Sequence, residues 1–202
     1  MPKVSFVIPA YNIESYIGRC IQSVKNQTFG DFEAIIVDDA STDATPEKIV
    51  EAVGDDSRFK VVTHPTNQGL HLARKTGAAH TTGEWVFCLD GDDEVTPDFL
   101  EQVVARIDQN PVDILHLGIT VIPENGVSEA EAEGFGNFIN HQSHFTQDEE
   151  VLRTIYDEGY GQKIDWRTTQ RLYRGELFRS AFVEMTSERL VRAEDAYEVF
   201  VL

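Results

Sequence analysis

Two acidic clusters, each placed directly after an apolar run, are the residues of this chain best suited to chemistry. Asp90-Gly91-Asp92-Asp93 follows Trp85-Val86-Phe87-Cys88-Leu89, and Asp38-Asp39 closes Phe32-Glu33-Ala34-Ile35-Ile36-Val37. In extended chain the side chains of Asp90 and Asp92 leave the same face, so their carboxylates can sit together. Like charges held this close repel unless a cation joins them. Carboxylate oxygens without Cys or His company select hard ions, so Mg²⁺ or Mn²⁺ is expected here rather than Zn²⁺. A D-x-D triplet alone is common in loops; its place after an apolar strand gives it weight. Asp38, Asp39 and Asp43 admit a second reading, as residues that cap turns and helices.

The elements around these clusters alternate. Val4-Ser5-Phe6-Val7-Ile8 reads as a strand, and Ile13, Tyr16, Ile17, Cys20, Ile21 and Val24 then recur at the spacing of one helix face. Phe32 to Val37 is a second strand, and Thr45-Pro46 opens a helix, with Thr45 as cap and Pro46 in first position. Phe59 to Thr63 is a third strand, 70–79 a third helix, and Trp85 to Leu89 a fourth strand. Thr96-Pro97 caps a helix that buries Phe99, Leu100, Val103, Val104 and Ile107, and a strand over 113–122 follows. This order predicts an α/β domain on a mostly parallel, Rossmann-like central sheet flanked by helices. In such sheets ligands bind outside the carboxyl ends of the strands, where both acidic clusters fall. Beyond Pro123 the periodicity fails, and 124–147 reads as a long loop without a Lys or Arg. A helix is expected to resume over 149–156, Leu172-Tyr173 to sit in a short ordered piece, and 193–202 to be helical.

Composition narrows the function. Among 202 residues, 35 Asp and Glu oppose 17 Lys and Arg, a formal net charge of −18. Nucleic acid and anionic membrane surfaces are bound by neutralising phosphates, so both are poor partners for this chain. A hydrophobic fraction of 41% is that of a domain with a core rather than of an acidic tail. No signal peptide or span of about 20 apolar residues is visible. Cys20 and Cys88 have no CxxC partner and read as reduced core residues, which fits a cytoplasmic setting. His141 and His144 lie in the loop without a third ligand, and His116 reads as a strand residue. With neither a G-x-x-x-x-G-K-[ST] loop nor a G-x-G-x-x-G turn after the first strand, a P-loop and a dinucleotide site are unsupported.

Several segments together resemble one family. Val4-Ser5-Phe6-Val7-Ile8-Pro9-Ala10-Tyr11-Asn12-Ile13-Glu14, Gln27-Thr28, Asp38-Asp39-Ala40-Ser41-Thr42-Asp43, Asn67-Gln68-Gly69 with Ala73-Arg74, Gly83-Glu84-Trp85 and Leu89 to Asp93 are similar to family 2 of the inverting glycosyltransferases. The match is nearly continuous from Val4 to about Leu100; later, Arg171-Leu172-Tyr173-Arg174 and Glu194-Asp195 are its recognisable pieces. The resemblance implies a GT-A fold that binds a nucleotide-sugar donor, usually a UDP-sugar, and passes the sugar with inversion to an acceptor hydroxyl. It implies roles in cell-wall or other cell-surface polysaccharide and glycoconjugate synthesis. Pro9, Ala10, Tyr11 and Glu14 would surround base and ribose, and Asp39 would accept a hydrogen bond from the uracil imide N–H. Asn67, Gly69 and Gly91 would complete the donor pocket, Arg74 would meet the base or diphosphate, and Asp90 the ribose or the metal shell. Asp92 would hold Mn²⁺ or Mg²⁺, and Asp195 would be the general base. Ala193 stands where a glycine is frequent, Arg171 where a lysine is common, and no Q-x-x-R-W follows.

The expected division is a donor-binding subdomain, 1–122, and an acceptor-side segment, 123–202, cut short at its C-terminus. The whole enzyme would be cytoplasmic, or held at the inner face of the membrane by a further C-terminal part or a partner. Two other readings stay open: a nucleotide-sugar-binding fragment without transfer activity, and a phosphotransferase of the haloacid-dehalogenase type, whose nucleophile motif Leu89-Asp90-Gly91-Asp92 mimics.

Overall fold

The computed structural model describes residues 1–110, 112–124, 126–140, 167–190 and 198. The chain forms two compact units, one of residues 1–116 with 168–202 and one of residues 117–167.

In the first unit six strands form one sheet in the order β3-β2-β1-β4-β6-β5. Strand β1 (Val4–Ala10) is buried at every position and pairs in parallel with β2 (Phe32–Asp38) on one side and β4 (Trp85–Cys88) on the other. Broken only by Ser5, whose hydroxyl donates to Glu33 at 2.6 Å, its apolar run is what a strand covered on both faces requires. Phe6 anchors the core under β1, meeting Phe32 and Phe87 edge-to-face at centroid distances of 5.8 and 5.9 Å. β3 (Phe59–Thr63) extends the parallel part beyond β2. β6 (Arg171–Arg174) runs antiparallel between β4 and β5 (Ile114–His116). The predicted short ordered piece at Leu172-Tyr173 is therefore an internal strand of the main sheet.

Helix α1 (Ile17–Lys25) packs Ile17, Cys20, Ile21 and Val24 inward, as their spacing predicts. α2 (Thr45–Val53) carries Pro46 in its first turn but has Ala44, not Thr45, at the capping position. Thr45 instead turns its hydroxyl to the Ile13 N–H at 2.8 Å, tying the loop after β2 to the loop after β1. α3 (Leu70–His80) and α4 (Phe99–Gln109) follow β3 and β4. Asp98 rather than Thr96 stands at the start of α4.

Two further predictions need correction. The expected strand over 113–122 is only three residues long, because β6 offers a partner to Ile114–His116 alone; Ile119 and Ile122 beyond it are exposed. The expected loop over 124–147 contains helix α5 (Glu129–Ile139), in the second unit. Its start is a capping box: the Glu131 carboxylate accepts from the Ser128 N–H and hydroxyl at 2.9 and 2.7 Å, and the Glu131 N–H returns to the hydroxyl at 3.3 Å. Residues 168–202 group with 1–116; after β6 the chain continues into α6 (Gly175–Glu184). The expected helices at 149–156 and, Glu198 apart, at 193–202 lie outside the described residues.

Register places the functional edge. Ala10 pairs with Asp38 and Asp38 with Thr63, so three strands end in line. β4 stops at Cys88, opposite Val7, three residues short of the end of β1. The chain leaving β4 therefore passes beside Pro9 and Ala10, and a crevice opens at the point where the chain switches from one side of β1 to the other.

Candidate donor-binding site

A cavity of about 440 Å³ occupies this crevice. The strand ends and the turns after them supply its wall: Pro9, Ala10 and Tyr11 from β1, Asp39 from β2, Asn67 and Gly69 before α3, and Asp90, Gly91 and Asp92 after β4. Nine of the residues predicted for the donor and its metal thus meet at one place.

Asp39 is almost fully buried and is held from behind by three N–H donors. Its Oδ1 accepts from His64 Nδ1 at 2.6 Å and from the Gln68 N–H at 2.8 Å, and its Oδ2 accepts from the Gly69 N–H at 2.7 Å. Gly69 can present that N–H because it has φ +93, a conformation side chains rarely adopt. Asp38 has the bland role first considered for it, its Oδ1 accepting from the Ser41 N–H at 3.1 Å. Gly91 lets the acidic turn lie against β1: a Cβ there would stand 2.8 Å from the Pro9 carbonyl oxygen.

The acids of the turn are in different electrostatic states. Asp90 Oδ1 accepts from Arg74 Nη2 at 3.1 Å and is charge-compensated. Among the described residues none donates to the Asp92 carboxylate. Partial desolvation, then the like charges of Asp90 and Asp92, push the Asp93 carboxyl up to about 6. This is a place that favours a cation. No group of three metal-ligating side chains gathers among the described residues. Mg²⁺ and Mn²⁺ do not need such a cage, since they take one or two carboxylates and fill the remaining positions with phosphate oxygens and water. Asp92, with Asp90 beside it, fits that pattern. Burial, reinforced by the nearby acids, pushes the Cys20 thiol well up from its ordinary value, so it is an inert core group.

Two predicted donor residues stand off the cavity. Glu14 does not line it; its carboxylate accepts from the Ala44 N–H at 2.8 Å and its N–H donates to Asp43 at 3.2 Å, which joins the loops after β1 and β2. Arg74 lies behind the wall, 1% exposed, with Nη1 on Glu198 Oε2 at 3.0 Å and Nη2 on Asp90. Among the described residues, Asp90 links it to the cavity wall. Asp195 lies outside the described residues, as do His141 and His144.

Sequence reasoning missed four residues. His64 and Glu198 carry no motif signal, because each acts from a buried position on a group that does. Glu198, fully buried, also accepts from Thr168 Oγ1 at 2.6 Å and meets His71 Nδ1 at 2.9 Å. Thr76 stands behind His64, its Oγ1 at 2.8 Å from Nε2. Arg189 lines the cavity and donates to Asn67 Oδ1 at 2.7 Å; only its position in an Arg-rich stretch near Asp195 hinted at it.

Fold and site together define an open α/β domain with a polar ligand cavity at its topological switch point. Comparison with known proteins makes this specific: the glycosyl transferase family 2 model matches residues 5–198, and the chain belongs to that family. The uncharacterized glycosyltransferase EpsJ of Bacillus subtilis is 30% identical over 196 residues, 97% of this chain and 54% of EpsJ. The succinoglycan biosynthesis protein ExoO of Rhizobium meliloti is 36% identical over 128 residues, 63% of this chain and 36% of ExoO. Among solved structures, residues 1–349 of S. aureus TarS in complex with UDP superpose with TM-score 0.73 and 26% identity, over 97% of this chain and 53% of that one. The complex of the same protein with UDP-GlcNAc gives TM-score 0.73 and 25% identity, over 98% and 52%. The predicted GT-A-type fold, a mostly parallel sheet flanked by helices, is thus the observed one. The chain spans about half the length of EpsJ and of the TarS structures, and less of ExoO.

Proposed function

We propose that this chain carries the donor site of an inverting glycosyltransferase that moves a sugar from a UDP-sugar to an acceptor hydroxyl, in the synthesis of a cell-surface polysaccharide or glycoconjugate. The observation that carries this reading is the pair of acids on the cavity wall, Asp39 with acceptor capacity left over and Asp92 with no donor among the described residues. An ionised carboxylate offers about four acceptor positions. Three on Asp39 are filled from the protein, and the fourth suits the imide N–H of uracil. The complexes of TarS with UDP and UDP-GlcNAc support the same choice of base, and the name of ExoO supports the class of product.

Tyr11, 46% exposed at the end of β1, offers its ring to the base, and Pro9 and Ala10 close that end of the cavity. Arg189, which donates to Asn67, supplies a guanidinium to the wall of the cavity that would hold the diphosphate. Asp92, with Asp90 beside it, would hold Mn²⁺ or Mg²⁺, which when bound offsets negative charge on the diphosphate. Asp195 would take the proton from the acceptor hydroxyl as it attacks the anomeric carbon, the sugar–phosphate bond breaking on the opposite face with inversion. Holding donor and acceptor in line supplies the remaining advantage.

Titration calorimetry of UDP with Mn²⁺, in the wild type and in Asp92→Ala, tests the reading. Binding that depends on Mn²⁺ and loses that dependence in the variant is the expected result. UDP binding that is the same in both proteins would overturn the role of Asp92, and no UDP binding to the wild type would overturn the donor site. The share of its relatives that the chain spans favours one second reading, that this chain binds the donor without completing transfer by itself.

A further inference from the structure

We propose that His64 is a positioning residue that sets which nucleobase the cavity accepts, acting through Asp39. The inference rests on the reading that the donor's base lies against Asp39, and it concerns how that carboxylate is prepared.

His64 is the residue directly after β3 and is tied to β2 by its own backbone, its N–H donating to the Asp38 carbonyl at 2.9 Å. Its ring lies between two partners, Asp39 Oδ1 at 2.6 Å and Thr76 Oγ1 at 2.8 Å, and is 7% exposed. An ionised carboxylate only accepts, so Nδ1 bears the proton and donates it to Asp39; in the neutral ring Nε2 then accepts from the Thr76 hydroxyl. Thr76 lies on α3, so the orientation of the ring is fixed by a regular helix rather than by a loop.

Oδ1 has two acceptor positions, and His64 and the Gln68 N–H fill both. Oδ2 has two, and the Gly69 N–H fills one. Among the described residues a single acceptor position therefore remains for whatever occupies the cavity. Without His64 the carboxylate would gain a second free position and lose the bond that fixes its plane. With His64 in place, a base must present an N–H at one point. Uracil does this through N3–H; cytosine presents a lone pair at N3, which would face a carboxylate oxygen and leave a buried charged group unsatisfied.

The test is the ratio of UDP to CDP affinity, measured by calorimetry on the full chain with Mn²⁺ present. The wild type is expected to prefer UDP by about a hundredfold or more. His64→Leu removes the donor, and the ratio should fall by about tenfold. His64→Asn places an amide N–H close to where Nδ1 was, and should return the ratio to within about threefold of wild type. A merely structural role would weaken UDP and CDP alike and leave the ratio unmoved. If His64→Leu does not fold, Thr76→Val takes its place, with a ratio lowered by about threefold as the supporting result. A ratio unchanged in the folded His64→Leu or Thr76→Val protein, or an Asn variant no better than Leu, overturns the role of His64. A wild type that binds UDP and CDP equally overturns instead the reading of Asp39 as the base contact.

Discussion

Replacing Glu198 should damage the fold behind the donor site more than its place near the chain end suggests. Its carboxylate is fully buried and has three partners at 2.6–3.0 Å: Thr168, His71 and Arg74. Arg74 is itself 1% exposed, and Asp90, its other carboxylate, has a side chain 34% exposed to solvent. Glu198→Gln keeps the volume but takes from the guanidinium its fully buried carboxylate. Removing one member of a buried pair costs about 3–5 kcal/mol; with Asp90 still in place the lower end applies, about 3 kcal/mol. For a domain of this size each kcal/mol is worth roughly 2–4 °C, so Tm should fall by about 9 °C. The loss should depend on pH. Burial works against protonation of His71, and Lys75 adds to that, but the Glu198 carboxylate and the Thr186 carbonyl outweigh them and hold its pKa above the ordinary 6.5. A group more basic in the folded than in the unfolded state adds its full stability below the unfolded pKa, and loses it as pH rises through the folded value. The difference in Tm between wild type and Glu198→Gln should therefore be larger at pH 6 than at pH 8. Thermal unfolding followed by circular dichroism at both pH values measures it. A drop of less than about 2 °C at pH 6, well under the ~9 °C worked from the pair, or a difference that does not shrink by pH 8, would refute the argument.

Three further outcomes can be checked. Gly91→Ala forces a Cβ to within 2.8 Å of the Pro9 carbonyl oxygen and 2.5 Å of Ile13 Cδ1, so UDP affinity should fall and stability should drop by about 1–3 kcal/mol, read by calorimetry and denaturant unfolding. Ala40, next to Asp39, has φ +60; Ala40→Gly relieves that strain and should raise stability by about 1 kcal/mol, visible as a higher urea midpoint with unchanged slope. Asp195→Asn should leave UDP affinity intact in calorimetry while abolishing sugar transfer; retained transfer would remove Asp195 as the base.

The cavity edge was legible in the sequence because its signals are local. A parallel strand is a short apolar run, and the turn that follows it faces the crevice, so Asp39 and Asp92 could be placed by reading along the chain, whereas Tyr11 came only with the family resemblance. Arg74 and Glu198 could not, because their meaning is a contact between residues 124 positions apart. Arg74 sits in a motif that names it a ligand residue, and only the packing of α3 against the C-terminal segment puts Asp90 between it and the cavity. His64 was illegible for a similar reason: its partner Asp39 is 25 residues earlier and Thr76 12 residues later. The helix over Glu129–Ile139 was a different kind of miss. Its capping box, Ser128 with Glu131, was there to be read, but Gly134 and Gly136 blur the apolar spacing on which the prediction relied.

The charge of the site then has a simple logic. Of the acids on the cavity wall, Asp39 is met by three N–H groups, which leave it one acceptor position, and Asp90 is paired with Arg74. Asp92 and the raised pKa of Asp93 mark where charge is left over. A nucleoside diphosphate would bring more negative charge to this wall, against one guanidinium, that of Arg189, among its described residues. Two like charges at 4 Å still repel by about 4 kcal/mol at the effective dielectric of a protein surface, which one arginine shared with Asn67 cannot offset for both phosphates. Binding of the diphosphate and binding of a divalent cation should accordingly be strongly coupled here, each raising the affinity for the other by the same factor.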